Sequence, residues 1–181
     1  MIEKVFGIEA GRLILRGWRD EDHAPFAAMG RSPAVMEHLG DFMDDDQVAA
    51  AIARQRGFQA SHGHCFWAIE RRVDGVFLGF CGLKPGTVGP IDGEVEIGWR
   101  LREDAWGQGY AREAAQASIA WGWANLETPR IMAITTPANT ASWGLMIRLG
   151  MVRRPDLDFG HPQFQPGDKL YEHITYEIGR P

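Results

Sequence analysis

Residues 96–115 read EIGWRLREDAWGQGYAREAA. The segment starts as an alternating, strand-like run and passes through a charged stretch to Trp106. Three small residues then fall at every second position: Gly107, Gly109 and Ala111. An alanine-rich helix is expected to follow, over about 109–125. Glycines let the backbone come close to a ligand and take positive φ. A helix that begins directly after them points its free N–H groups, with the positive end of its dipole, into the same space. Successive amides in such a turn form a concave anion site made of backbone.

Several readings compete for this turn. The plainest is a helix entry with glycines for tight packing, and for a lone G-x-G that reading comes first. A dinucleotide fingerprint, G-x-G-x-x-G, fails because its third small position falls on Arg112, where close helix–sheet packing is needed. Glu127 lies at a suitable distance downstream, but it precedes the next strand instead of ending it. A P-loop fails as well, since no G-K-[ST] follows. A further functional reading is a coenzyme A cradle.

Working outward, 181 residues suit one domain able to bury a real core. A hydrophobic fraction of 45% with 24% charged residues is ordinary for a globular chain. No apolar run approaches the roughly 20 residues of a membrane span, and the start MIEKVFGIEAGRLIL has no basic region followed by an apolar core. Cys65 and Cys81 form no disulfide framework or metal cluster, so the expected compartment is the reducing cytoplasm. A net charge of −5 argues against general nucleic-acid binding. It is compatible with a cationic substrate such as an amine.

Alternation makes 12–18 a first strand, followed by a helix that Asp20 or Asp22 can cap and a second helix from 45 to Gly63. Residues 64–72 and 75–84 straddle the turn-forming VDG as a hairpin. A Gly/Pro loop leads to the strand EVEIGWRL. After the glycine turn and its helix come a strand at 130–136 and a helix capped by Asn139 and closed by Gly150. Closing strands lie around the loop DLDFGHPQFQPGD. This order predicts an α/β fold with a mixed, mostly antiparallel sheet, not a regular βαβ alternation.

With PANTASWGLMIRLGM (137–151), the opening segment resembles the central acetyl-CoA-binding region of the GNAT N-acetyltransferases. It is most similar to the branch typified by the ribosomal-protein N-terminal acetyltransferases RimJ and RimL. GRLILRGWRDEDHAPFAAM (11–29), FWAIERRVDGVFLGFCGLK (66–84) and DFGHPQF with KLYEHITYEI resemble outer parts of that branch. Trp106 stands where the general family pattern prefers Arg or Gln, and tryptophan there is usual in the RimJ/RimL-like branch. The resemblance implies one GNAT domain over 1–181, with helices flanking the sheet. It implies acetyl-CoA as acyl donor and no metal. The strand Trp99, Arg100, Leu101 would pair its backbone with the pantetheine arm. The turn Gly107, Gln108, Gly109, Tyr110, Ala111, with Arg112, would hold the pyrophosphate. Asn139 and Ser142 would sit by the far end of the coenzyme.

Acetyl transfer to an amine needs an unprotonated nucleophile, a stabilised oxyanion and a proton for the thiolate. Glu94 and Glu96 share one face of their strand. Glu96 matches the glutamate of the family's E-I-G-[YW] strand and is the expected base, while Glu94 reads better as a solvated residue. Many relatives use a tyrosine at the position held here by Met146, which donates no proton. Ser142, one turn earlier on the stripe of Met146 and Leu149, either faces the sulfur or satisfies backbone groups in the first turn. Asn139 has a cap role and a site role open to it. Trp18, His161 and His173 are expected on the substrate side. Partners expected are an amine-bearing small molecule or a protein N-terminus, with neither nucleic acid nor membrane. An edge-strand homodimer is compatible with the pattern. Another acyl-CoA, or a non-catalytic acyl-CoA-binding module, are the alternatives.

Overall fold

The computed structural model describes residues 6–181. The chain opens with a hairpin of β1 (Gly7–Ala10) and β2 (Leu13–Arg16). Only the second of these is legible as an alternating run. Helix α1 (His23–Gly30) and the short α2 (Pro33–Met36) come next. The second was missed by pattern because it is one turn long, started by Ser32, whose hydroxyl accepts the Val35 N–H, and by Pro33. Helix α3 (Asp45–His62) carries a reciprocal capping box between Asp44 and Gln47 and ends on Gly63.

Strands β3 (Phe66–Arg71), β4 (Phe77–Pro85) and β5 (Val95–Leu101) form an antiparallel meander. Helix α4 (Tyr110–Asn125), β6 (Arg130–Thr135) and α5 (Thr140–Arg148) follow. The chain closes with β7 (Val152–Arg153), β8 (Phe159–Gly160) and β9 (Glu172–Gly179). The sheet runs β1-β2-β3-β4-β5-β6-β9-β7, with β8 paired to β9. Every pairing is antiparallel except β5–β6. The mixed, mostly antiparallel sheet expected from the element order is therefore present.

Strand alternation assigns the two faces of this sheet. Cys81 points at α4, with its Sγ 3.7 Å from the Ser118 hydroxyl. Its neighbours Phe80 and Lys84 point the other way, toward Phe26 of α1 and Phe58 of α3. The register pairs Lys84 with Glu96, Gly82 with Gly98 and Phe80 with Arg100. Glu96, Gly98 and Arg100 thus share the α1–α3 face, and Trp99 and Leu101 face α4.

Trp18 belongs to the core on the α1 side. It is 8% exposed, donates its indole N–H to the Phe66 carbonyl at 2.7 Å and packs on Phe26. The expectation that it walls a substrate surface is corrected by this position: the chain bends inward after β2, and the ring fills the space beneath α1.

Beside it, Arg16 is almost fully buried and forks onto Asp22 at 2.8 and 2.9 Å, while its Nε donates to Glu70 at 2.6 Å. Asp22 also accepts the Arg19 N–H, tying β2 to the start of α1. Breaking such a pair from one side leaves a buried charge uncompensated. Asp22→Asn is expected to cost about 3 kcal/mol in urea denaturation; a loss below about 1 kcal/mol would place the fork among weak surface pairs.

Candidate active site

The parallel pairing of β5 and β6 covers only Val95↔Ile131 and Glu96↔Met132. Beyond Glu96, β5 stays with β4 as far as Leu101, while β6 pairs along its length with β9. The two strands part, and the outer edge of β5 faces a gap instead of a strand. That gap opens into a cleft of ≈ 640 Å³. Its walls are Trp99, Arg100 and Leu101 on one side and α5 on the other. The glycine turn closes one end and residues 34–39 another.

The turn has the backbone that glycine was expected to supply. Gly107 has φ +71° and Gly109, the residue before α4, has φ +82°. A Cβ on Gly107 would meet nothing within 4 Å. The positive φ, more than crowding, is what requires glycine there. No side chain caps α4, whereas Asp44 caps α3 and Asn139 caps α5. The first N–H groups of α4 are thus free for an anion.

The rear of the turn is fixed from the β1–β2 hairpin. Arg12 donates to the Gln108 carbonyl at 3.0 Å and to Glu113 at 2.9 Å, and lies 4.3 Å from the Tyr110 ring centroid. The Trp106 indole N–H donates to the Leu101 carbonyl at 2.9 Å, and the Gln108 amide to the Asp104 carbonyl. Gln108 therefore braces the turn and does not line the cleft.

Gly107, Gly109, Tyr110, Ala111, Arg112, Asn139 and Ser142 are all brought to this one cleft. Asn139 is the N-cap of α5, its side-chain oxygen accepting the Ser142 N–H at 3.2 Å. The helical stripe on the cleft is Ser142, Leu145 and Arg148. The expected stripe of Ser142, Met146 and Leu149 is corrected accordingly: Met146 is 2% exposed and turned into the core. Pattern reading missed Arg148, Leu145 and residues 34–39. A basic residue two turns along the Ser142 stripe was the available signal for Arg148. For residues 34–39 there was no sequence signal.

Glu96 lies at the vertex where β5 and β6 separate and is not on the cleft wall. Its carboxylate is buried and ion-paired with Lys84. Burial pushes its pKa up, and the Lys84 ammonium offsets only part of that rise. Glu94 is engaged by Arg130 at 2.6 Å, so it is a structural anion with a lowered pKa.

His161 and His173 stand together, ring centroids 4.7 Å apart, between Phe159 and Phe164. They lie off the main cleft. Phe164 does line a second hollow, against α2 and residues 40–42. Among the described residues no group of His, Cys, Asp or Glu is arranged to hold a metal ion, and no helix is long and apolar enough to cross a membrane.

The parted strands, the glycine turn and the α5 cap belong together in one family. A family profile described as acetyltransferase (GNAT) domain matches residues 12–152, and the chain belongs to that family of acetyltransferase enzymes. An uncharacterized N-acetyltransferase, YnaD, of Bacillus subtilis (strain 168) is 40% identical over 175 residues, covering 94% of this chain and 95% of YnaD. A GNAT-family acetyltransferase structure from Bacillus anthracis matches with a TM-score of 0.78 at 21% identity, over 97% of this chain and 99% of that one. RimL, the ribosomal L7/L12 alpha-N-protein acetyltransferase solved with coenzyme A, matches with a TM-score of 0.77 at 16% identity, over 96% and 98%. The last two likenesses concern the fold.

Burial lowers the pKa of both His161 and His173, and the neighbouring His161 lowers His173 further. The folded state therefore prefers neutral rings. Their contribution is complete above the ordinary histidine pKa of about 6.5 and is lost as pH falls through the lowered values. Thermal melts should show the wild type losing stability on that acidic side, with His173→Gln flattening the dependence. Parallel curves for the two proteins would count against the pair as its source.

Proposed function

We propose that this protein transfers the acetyl group of acetyl-CoA to a primary amine, on a small molecule or a protein N-terminus, by direct attack. The observation that carries this reading is the cleft left where β5 parts from β6, ending in an uncapped, glycine-entered helix. The residues present suit the acyl donor. The free amides of residues 109–112 and the Arg112 and Arg148 side chains offer the pyrophosphate a cationic, N–H-rich end of the cleft. The edge of β5 from Trp99 to Leu101, beyond its pairing with β6, offers the pantetheine arm a strand-like partner. When bound, acetyl-CoA supplies an activated thioester carbonyl.

The chain's own groups then have two tasks. Glu96, kept by burial above the ordinary carboxylate pKa, is poised to take the proton of the incoming ammonium directly or through water. Ser142 carries the hydroxyl on the cleft, since position 146 offers a buried thioether instead of a phenol. A thiol is acidic enough that coenzyme A can leave as its anion, so the serine's proton assists without being indispensable. Asn139 holds the first turn of α5, and with it Ser142, against the cleft.

A panel of amines and N-terminal peptides assayed for coenzyme A release, with mass spectrometry of the products, tests the reaction. A base with a raised pKa is protonated at low pH, so kcat/KM should climb as pH passes through that pKa. Glu96→Gln is expected to remove this rising limb and lower kcat/KM by about 100-fold; an unchanged profile would reject it as base. Ser142→Ala should reduce kcat by less than about tenfold, and a wild-type rate would take Ser142 out of the chemistry.

A further inference from the structure

Arg100 is an anomaly in this fold. Its Nε is sealed from solvent and has no hydrogen-bond partner among the described residues. Its Nη1 reaches only two thioethers, Met43 at 3.6 Å and Met36 at 3.9 Å. Sulfur of this kind is a weak acceptor. The guanidinium carbon stands 5.3 Å from the Phe80 ring centroid and 6.0 Å from that of Phe26. Aromatic faces attract the cation, but an N–H aimed at a ring is a weaker bond than one to a carboxylate oxygen. No carboxylate among the described residues forms an ion pair with it, although Arg16 is held by both Asp22 and Glu70. Burial pushes the Arg100 pKa down to about 10, which leaves it charged at neutral pH. A charge half-buried beside apolar groups without a partner is costly, and five donors in a planar fork match a carboxylate.

Arg100 also lines the cleft, and its side of the sheet matters. It shares the α1–α3 face with Glu96, while the glycine turn leads into α4 on the opposite face. An anion reaching it from the cleft therefore approaches on the side of the base. We propose that Arg100 binds a carboxylate carried by the amine acceptor, which makes the acceptor an amino acid or a short acid-bearing peptide and disfavours polyamines. Glu96 and Arg100 are four residues apart, about 13 Å along an extended strand. The reach of the two side chains leaves room for several bonds between the acceptor's amine and its carboxylate. An uncompensated cation beside the path also repels polycations. The assignment rests on amine acetylation in this cleft and adds the class of acceptor.

The test uses di- and tripeptides as free acids and as C-terminal amides, peptide amides with Glu or Gln at the second position, and spermidine. The first pairs report a terminal carboxylate and the second a side-chain carboxylate. In the wild type, the acid member of at least one pair should win by at least about tenfold in kcat/KM, expressed mainly in KM for the peptide. Arg100→Met, which suits the thioether and aromatic surroundings, should bring that ratio close to one, and Arg100→Lys should keep part of it. Its melting temperature should equal or exceed that of the wild type, because it removes an unpaired charge. A cation that only holds the fold together would give the opposite shift. Ratios near one in every pair, a ratio that survives in Arg100→Met, or spermidine as the best acceptor would each overturn the proposal. If no amine releases coenzyme A, amine acetylation itself fails. The carboxylate site is then judged by melting: an acid peptide should stabilise the wild type more than its amide does and leave Arg100→Met unmoved, and equal shifts would refute it.

Discussion

The site depends on β5 holding β4 while releasing β6. Parallel pairing stops at Glu96↔Met132, while β5 continues with β4 on its other edge and β6 with β9 on its own other edge. Strands that part in this way leave backbone donors and acceptors on the freed edge, which are costly to bury without a partner. The fold keeps them at a cleft, where an extended ligand can pair with them. The same parting places the first turn of α5 across from the glycine turn, so both lie on one hollow. A sheet paired throughout would have left no such cleft.

Buried charge is used in three ways around this opening. Arg16 is satisfied by two carboxylates and fastens the first strands to α1. Glu96 is half-satisfied: Lys84 pairs with it, yet burial still raises its pKa. Among the described residues, the Arg100 guanidinium meets the Met36 and Met43 sulfurs and the Phe80 ring and no carboxylate. Of the three, Arg100 is the one that lines the cleft. That placement is what a protein that binds a polar substrate is expected to have, since groups that await a ligand are unsatisfied without it.

Much of this was legible in residue order. The caps at Asp44 and Asn139, the closing glycines and the glycine turn are local features, decided by a few adjacent residues. Alternation located β5. Trp18, His161 and His173 fared differently. A tryptophan near a strand end looks the same whether it walls a pocket or fills a core, and only the packing of Phe26, Phe66 and Phe80 around it decides. The two histidines meet because β8 pairs with β9, an interaction of short strands that carries no periodic signal. The Arg12 clamp joins residues about a hundred positions apart, which local pattern does not register.

Sequence alone determined the mixed sheet, the extents of α3, α4 and α5 and the positive-φ glycine turn, because periodicity, capping and positive φ act over a few neighbouring residues. Tertiary structure alone decided which residues face the cleft. It turned Met146 inward and brought Leu145 and Arg148 to the wall, set Glu96 against Lys84 and left Arg100 without an ion-pair partner among the described residues. Those outcomes depend on how strands pair and part, a long-range balance of backbone hydrogen bonds and packing that no short stretch of sequence encodes.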